Sequence, residues 1–273
     1  MVITLGNIVF GGKGNGGGTP AAYVVPNGMS FGFTLLTEFP AEGLDFSQKT
    51  DFYNAWYGCS RLTSFPSLDL SAGINFDSAW RGCSALTEFP ALNLSKGTNF
   101  YYAWYGCKAL TTFLPTDLSA GTNFNSAWRN CNSLTDFSNK NLSSGTNFNS
   151  AWSGCKALTS IGQLDLSSGT NFESAWSGCG KLTSIGQLDL SSGTNLNGAW
   201  SGCNSLTNLE GFGAIKYNIN LSSSANLTVE SLMNVINQAA TVTGKTMTLG
   251  SDNLAKLSDE QKAVATNKGW TLA

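Results

Sequence analysis

Hydrophobic and polar positions recur along this chain with a single long period. In one unit the apolar residues are Phe65, Leu68, Leu70, Phe76, Ala79, Trp80, Cys83 and Leu86, and Phe89 opens the next. Leu68 and Leu70 alternate about Asp69, which is the pattern of a half-buried strand. From Phe76 to Cys83 the apolar spacings are three and four, which suits one or two helical turns with one buried face. The polar run with Gly73 between them supplies turn and N-cap chemistry. Each unit therefore predicts strand, turn, short helical segment and return.

The period itself is fixed. Ala-Trp-x-Gly-Cys starts at residues 55, 79, 103, 127, 151, 175 and 199, always 24 apart, with Asn130 replacing Gly in the fourth copy. A fixed period in this range marks a solenoid whose repeats stack on one another. The fold class expected is an α/β solenoid, a leucine-rich-repeat stack of 24-residue units with a parallel sheet on one face. Its rungs are expected near 67–71, 91–95, 117–119, 141–143, 164–167 and 188–191, with an imperfect earlier rung at Leu44–Ser47. Thr116 and Lys140 occupy interior positions held by Leu elsewhere. A lysine there must reach out to solvent or find a partner.

Outside the repeat, residues 1–34 read as a Gly-rich cap or anchor, 35–214 as the solenoid and 215–273 as a small α/β C-terminal cap. Thr4–Phe10 predicts a strand, and Pro26-Asn27-Gly28 a turn between apolar runs. GGKGNGGG at 11–18 is no phosphate loop, because Lys13 comes early and Pro20 follows where a helix should begin. In the tail, Ile215–Leu221 alternates like a strand. Thr228 starts a helix to Ala239, Thr246–Leu249 is a strand, and Ser258 with Gln261 forms a capping-box start for a helix ended by Gly269. Trp270–Leu272 is the last strand.

At this point the pattern L-x-x-x-D-L-S-x-G-x-N-F-x-x-A-W-x-G-C-x-x-L-T resembles the BspA-like bacterial surface-antigen class of leucine-rich repeats, over about residues 35–212. It is nearest a variant in which Met-Phe stands where this chain has Ala-Trp. The resemblance implies a right-handed solenoid used for adhesion or partner binding rather than catalysis. The tail resembles one that follows such repeats in proteins of phages and gut-type bacteria. Two functions are expected from this: a phage virion component (tail fibre, appendage or decoration) that contacts a host-surface glycan or protein or other virion proteins, or a bacterial cell-surface adhesin.

Composition narrows the chemistry. The chain has no histidine and a net charge of −2 without a basic cluster. The usual general base and the commonest zinc ligand are thereby missing, and a nucleic-acid partner has little support. The first ten residues carry neither a basic n-region nor a sustained apolar run, so no signal peptide or membrane insertion is expected. No enzyme activity, cofactor or metal is expected, and a homo-oligomer is compatible with the reading. All seven cysteines lie in the repeat motif, and their odd number forbids complete pairing, so they are expected as buried free thiols beside a continuous tryptophan ladder.

Two columns carry candidate chemistry. Asp45, Asp69, Asn93, Asp117, Asn141, Asp165 and Asp189 would stack as a ladder able to bind a cation or act as an acid pair, or to remain a solvated ladder with the following serines. The first four units also carry Tyr53, Tyr57, Arg81, Tyr101, Tyr102, Tyr105 and Arg129, which the later units lack. These are the candidate binding residues; cross-rung stacking is the competing reading.

Overall fold

The computed structural model describes residues 3–5 and 8–10 as backbone, and 22–115 and 117–273 throughout. The Gly-rich run at 11–18 and the interior Thr116 lie outside the described residues. Ile3–Leu5 and Ile8–Phe10 pair antiparallel, so the single strand expected at Thr4–Phe10 is two short ones.

The Phe-to-Cys stretch is not helical. The N–H groups of Phe52, Asn54, Trp56 and Gly58 donate to carbonyls of the next rung, at Asn75, Asp77, Ala79 and Arg81. Those of Ala55, Tyr57 and Cys59 bond within the rung, three residues back. Every second N–H therefore ties one rung to the next, whereas an α-helix would keep them all inside one segment. Two left-handed residues per unit enforce this. Asn54, Ser78, Tyr102, Ser126, Ser150 and Ser174 have φ between 53° and 57°, and the motif glycines, Gly58 through Gly202, have φ between 72° and 78°. Asn130, the one exception to the motif, holds φ 63°, a region that Asn enters more readily than other non-glycine residues. The apolar spacing of three and four thus arises from stacked turns. Within the repeats the α part of the expected α/β unit is absent among the described residues, and the helices lie in the tail.

The sheet is also displaced from the expected rungs. Of these, Leu44–Asp45 pairs in parallel with Tyr23–Val24, and Asp117 bridges Asn141, but 67–71, 91–95, 164–167 and 188–191 form no strand. The Oδ1 of Asp69 takes the Ser71 N–H at 3.1 Å, and Asn93, Asp117, Asn141, Asp165 and Asp189 do the same with their serines, bending the backbone away from a ladder. Pro66, Pro90 and Pro115 remove further donors just upstream. Parallel pairing occurs earlier in the unit, between Glu88–Phe89 and Thr112–Phe113, and between Ser184–Gln187 and Asn208–Glu210. Beside it runs an exposed threonine column. Thr87 Oγ1 donates to the Thr63 carbonyl at 3.3 Å and Thr111 Oγ1 to that of Thr87 at 3.0 Å, a link repeated as far as Thr207 except where Thr135 follows Thr111.

The core is a set of columns. Trp56 to Trp200 stack at centroid steps of 5.3–5.7 Å with interplanar angles of 16° or less. Phe52 to Phe172 form a second column at 5.0–5.5 Å. Phe31 lies over Trp56 and extends the tryptophan column toward the N-terminus. The seven cysteines are buried and unpaired, as expected. Each thiol also donates to a carbonyl of the preceding rung, as Cys107 does to Trp80 O at 3.3 Å. Burial pushes the Cys107, Cys155 and Cys203 thiols up to about 12. Lys140 is half-buried with its Nζ 5.8 Å from the Phe113 ring centre.

In the tail, α1 (Val229–Gln238) is capped by Thr228, and its last carbonyls receive Lys268 Nζ. A short α2 (Ser251–Leu254), unexpected from the sequence, precedes α3 (Asp259–Asn267) with its Ser258–Gln261 capping box. Strands Ile219–Asn220, Lys245–Thr248 and Trp270–Leu272 make a parallel sheet with Lys245–Thr248 in the middle. The first is shorter than the expected Ile215–Leu221.

Candidate functional site

Stacked turns place the residue after each Trp on the outer surface, in register from rung to rung. Tyr57, Arg81, Tyr105 and Arg129 therefore form one column. The Arg81 guanidinium carbon lies 5.5 Å from the Tyr57 ring centre below and 5.2 Å from that of Tyr105 above. Tyr102 comes from the neighbouring left-handed position and closes on the same guanidinium at 4.7 Å. Tyr101 packs edge-on against Tyr102 at 4.4 Å, and Tyr102 is tilted against Tyr105 at 5.1 Å. The result is one arginine held by three tyrosines drawn from two rungs.

Two of the expected residues stand apart from this cage. Among the described residues Tyr53 makes no ring contact and Arg129 lies over no ring; Tyr53 is 55% exposed and Arg129 half-buried. Tyr57, at 46% exposure, is the open side of the cage. Asn130 reaches back with Nδ2 to the Tyr105 hydroxyl at 3.4 Å, so the motif's exceptional residue also supports the cage. Sequence reasoning missed that role, and the only available signal was that Asn130 breaks the repeat.

The electrostatics are uneven. Asp77 lies close enough to feel Arg81, but burial dominates and holds its carboxyl above the ordinary range. Burial also raises the Tyr101 phenol. Among the described residues neither Arg81 nor Arg129 forms an ion pair or a side-chain hydrogen bond. Lys49 and Lys256, which also reach into the fold, are satisfied: Lys49 donates to Pro26 O at 2.8 Å, and Lys256 to Ala225 O and Leu227 O at 2.6 and 2.7 Å.

The Asp/Asn column behaves differently. Hydrogen bonds from Ser47 and Ser71 hold the Asp45 and Asp69 carboxyls below their ordinary range. A general acid needs the opposite shift. No helix among the described residues is long and apolar enough to cross a membrane.

The architecture is a repeat solenoid with parallel cross-rung pairing. No family model and no curated protein matches the chain. Among solved structures it is similar to a leucine-rich repeat protein from Bacteroides ovatus, at TM-score 0.47 and 19% identity, covering 73% of this chain and 46% of that one. It thus spans less than half the length of that protein. A leucine-rich repeat protein of T. pallidum overlaps at TM-score 0.34 and 17% identity, covering 93% of this chain and 86% of its own. An internalin from Listeria monocytogenes overlaps at TM-score 0.26 and 12% identity, covering 79% and 77% respectively.

Proposed function

We propose that this chain is a non-enzymatic docking solenoid of a phage virion, serving as a tail fibre, appendage or decoration. It binds a host-surface receptor or a neighbouring virion subunit through the Tyr–Arg face of its first four units. In this reading it is a phage-borne relative of the BspA-like repeats, a right-handed stack of 24-residue units with residues 1–34 as anchor and 215–273 as terminal cap. The observation that carries the docking is the Arg81 cage, a charged group half-buried among three tyrosines, of which Tyr57 is exposed, with its hydrogen-bonding capacity unused. Tyr and Arg are the side chains that most often dominate binding surfaces. Non-catalysis is supported by the Asp column, whose carboxylates are engaged in turns with the following serines, which hold Asp45 and Asp69 below the ordinary range.

The repeat pattern, similar to that of bacterial surface antigens, favours a second reading, in which the same face works as an adhesin on a bacterial cell surface. The experiment for both is Tyr57→Ala with Tyr105→Ala, compared with Ser177→Ala with Ser201→Ala, read as binding to host cells and incorporation into particles. Loss in the tyrosine pair alone is expected. A folded tyrosine pair that binds and assembles like wild type overturns the reading.

A further inference from the structure

We infer that the Tyr57–Arg81–Tyr105–Arg129 column recognises a linear acidic glycan whose anionic groups fall on alternate sugars. This rests on the docking reading above and names its ligand class. Stacking fixes how Arg81 can act. Three tyrosine ring centres lie 4.7–5.5 Å from the guanidinium carbon, while all five N–H donors lie in the plane of the group. No acceptor of the described protein takes a hydrogen bond from them. An in-plane fork of donors without a partner matches a carboxylate or phosphate, which accepts two parallel bonds.

Arg129 is the next cation of the column, two rungs on, half-buried, with no ring over it and no side-chain hydrogen bond among the described residues. The underlying Trp80–Trp104 and Trp104–Trp128 steps are each 5.4 Å, so the two cations are spaced by two such steps, roughly the run of two pyranose rings in an extended chain. Between them stands the half-buried Tyr105, packed against Arg81 and Tyr102, which adds no charge at the level of the intervening sugar. Asp77 and Asn125, in the adjacent column, each accept one hydroxyl from Ser78 and Ser126 and keep further lone pairs for sugar hydroxyls. Asp77 lies beside Arg81 and interacts with Asp51 as well, so the anion-binding capacity rests on the unpaired arginine donors rather than on net charge. A protein partner has no reason to repeat its charge at two-rung intervals, whereas a polysaccharide built of disaccharides does so throughout its length.

The test uses the full chain on an array of linear glycans, each printed as the free acid and as its methyl ester, at low and high salt. Free acids with a uronate on every second sugar are expected to bind, their esters not, and binding is expected to weaken with salt. Arg81→Gln and Arg129→Gln should each weaken it about tenfold to a hundredfold. Arg81→Lys, which keeps the charge but loses the fork, should restore only part. Far-UV circular dichroism and the melting temperature establish that each variant is folded. Equal binding to acid and ester, or no binding to any acidic glycan, overturns the inference. If that happens while the Tyr57/Tyr105 pair still abolishes binding to host cells, the docking face stands and its partner is a protein.

Discussion

Trp128 offers a direct test of how the core is held. It is fully buried, stacked on Trp104 at 5.4 Å and Trp152 at 5.6 Å, and edge-on to Phe137 at 4.5 Å. Its indole N–H has no acceptor among the described residues, as in the other six repeat tryptophans. Trp128→Phe removes about 40 Å² of apolar ring, worth about 1 kcal/mol, and the small cavity adds about as much. It also removes a buried unpaired donor, whose desolvation costs about 1–3 kcal/mol. The two effects oppose each other, and the net change is expected to lie within about 1 kcal/mol of zero. Trp128→Ala keeps no compensating ring and should cost about 3–5 kcal/mol. Urea unfolding followed by circular dichroism, with wild type and both variants in the same array so that fraying ends cancel, gives the comparison. If Phe destabilises nearly as much as Ala, the indole N–H is earning a bond, with the Phe137 face as the acceptor, and the ledger above is wrong.

The remaining core predictions use the same assay. Burial raises the thiols of Cys107 and Cys155 from 9.0 to about 12, so the folded state keeps protons that the unfolded chain releases. Their stabilisation is whole below pH 9 and is lost as pH rises toward 12, and Cys107→Ala should flatten that alkaline decline. Thiol labelling at neutral pH should wait for unfolding at all seven sites; fast labelling of the native protein would contradict it. Gly178→Asn should cost less than about 1 kcal/mol and Gly178→Val clearly more, because φ is 76° and a Cβ there would meet the Gly154 backbone at an ordinary contact distance of 3.7 Å. Gly145→Ala should cost about 1–3 kcal/mol for another reason, since a Cβ there would overlap the Phe148 ring.

What was legible in the sequence follows the range of each signal. Thr228, Ser258 and Gly269 act on their own helix ends, and all three ends fall where those residues predict. The column order followed from the fixed period alone. The helical segment failed because Phe76, Ala79, Trp80 and Cys83 face inward equally well from stacked turns. The discriminating feature was two left-handed positions per unit, filled by Ser or Asn and then Gly, with Tyr102 hiding the first of them in the third unit. The strand failed at Leu68–Leu70 because alternation reports burial, while hydrogen bonding there is diverted by Asp69 and Pro66. Helix α2, four residues after Gly250 and with no side-chain cap, left no local mark. The Tyr and Arg columns were visible, but the closure of Tyr102 on Arg81 was not, since it depends on a backbone conformation that Tyr seldom adopts.

That conformation is the strongest reason to treat the cage as selected for binding. Tyr102 holds φ 53° at a position that is Ser or Asn in five other units and Gly in the last. A bulky side chain there carries strain on the order of 1–3 kcal/mol, which serine would reduce. Its ring regains part through Arg81, about 0.5–1 kcal/mol, and part through Tyr101 and Tyr105. Gain and strain are of similar size, so fold stability alone gives little reason to keep tyrosine. Tyr102→Ser is therefore expected to change the urea midpoint little in either direction while weakening attachment to host cells or particles by roughly tenfold, the loss of one well-packed contact. The opposite pattern, a loss of stability beyond about 2 kcal/mol with attachment unchanged, would make Tyr102 a structural stacker. The docking surface would then have to be sought on the threonine face or at the ends of the solenoid.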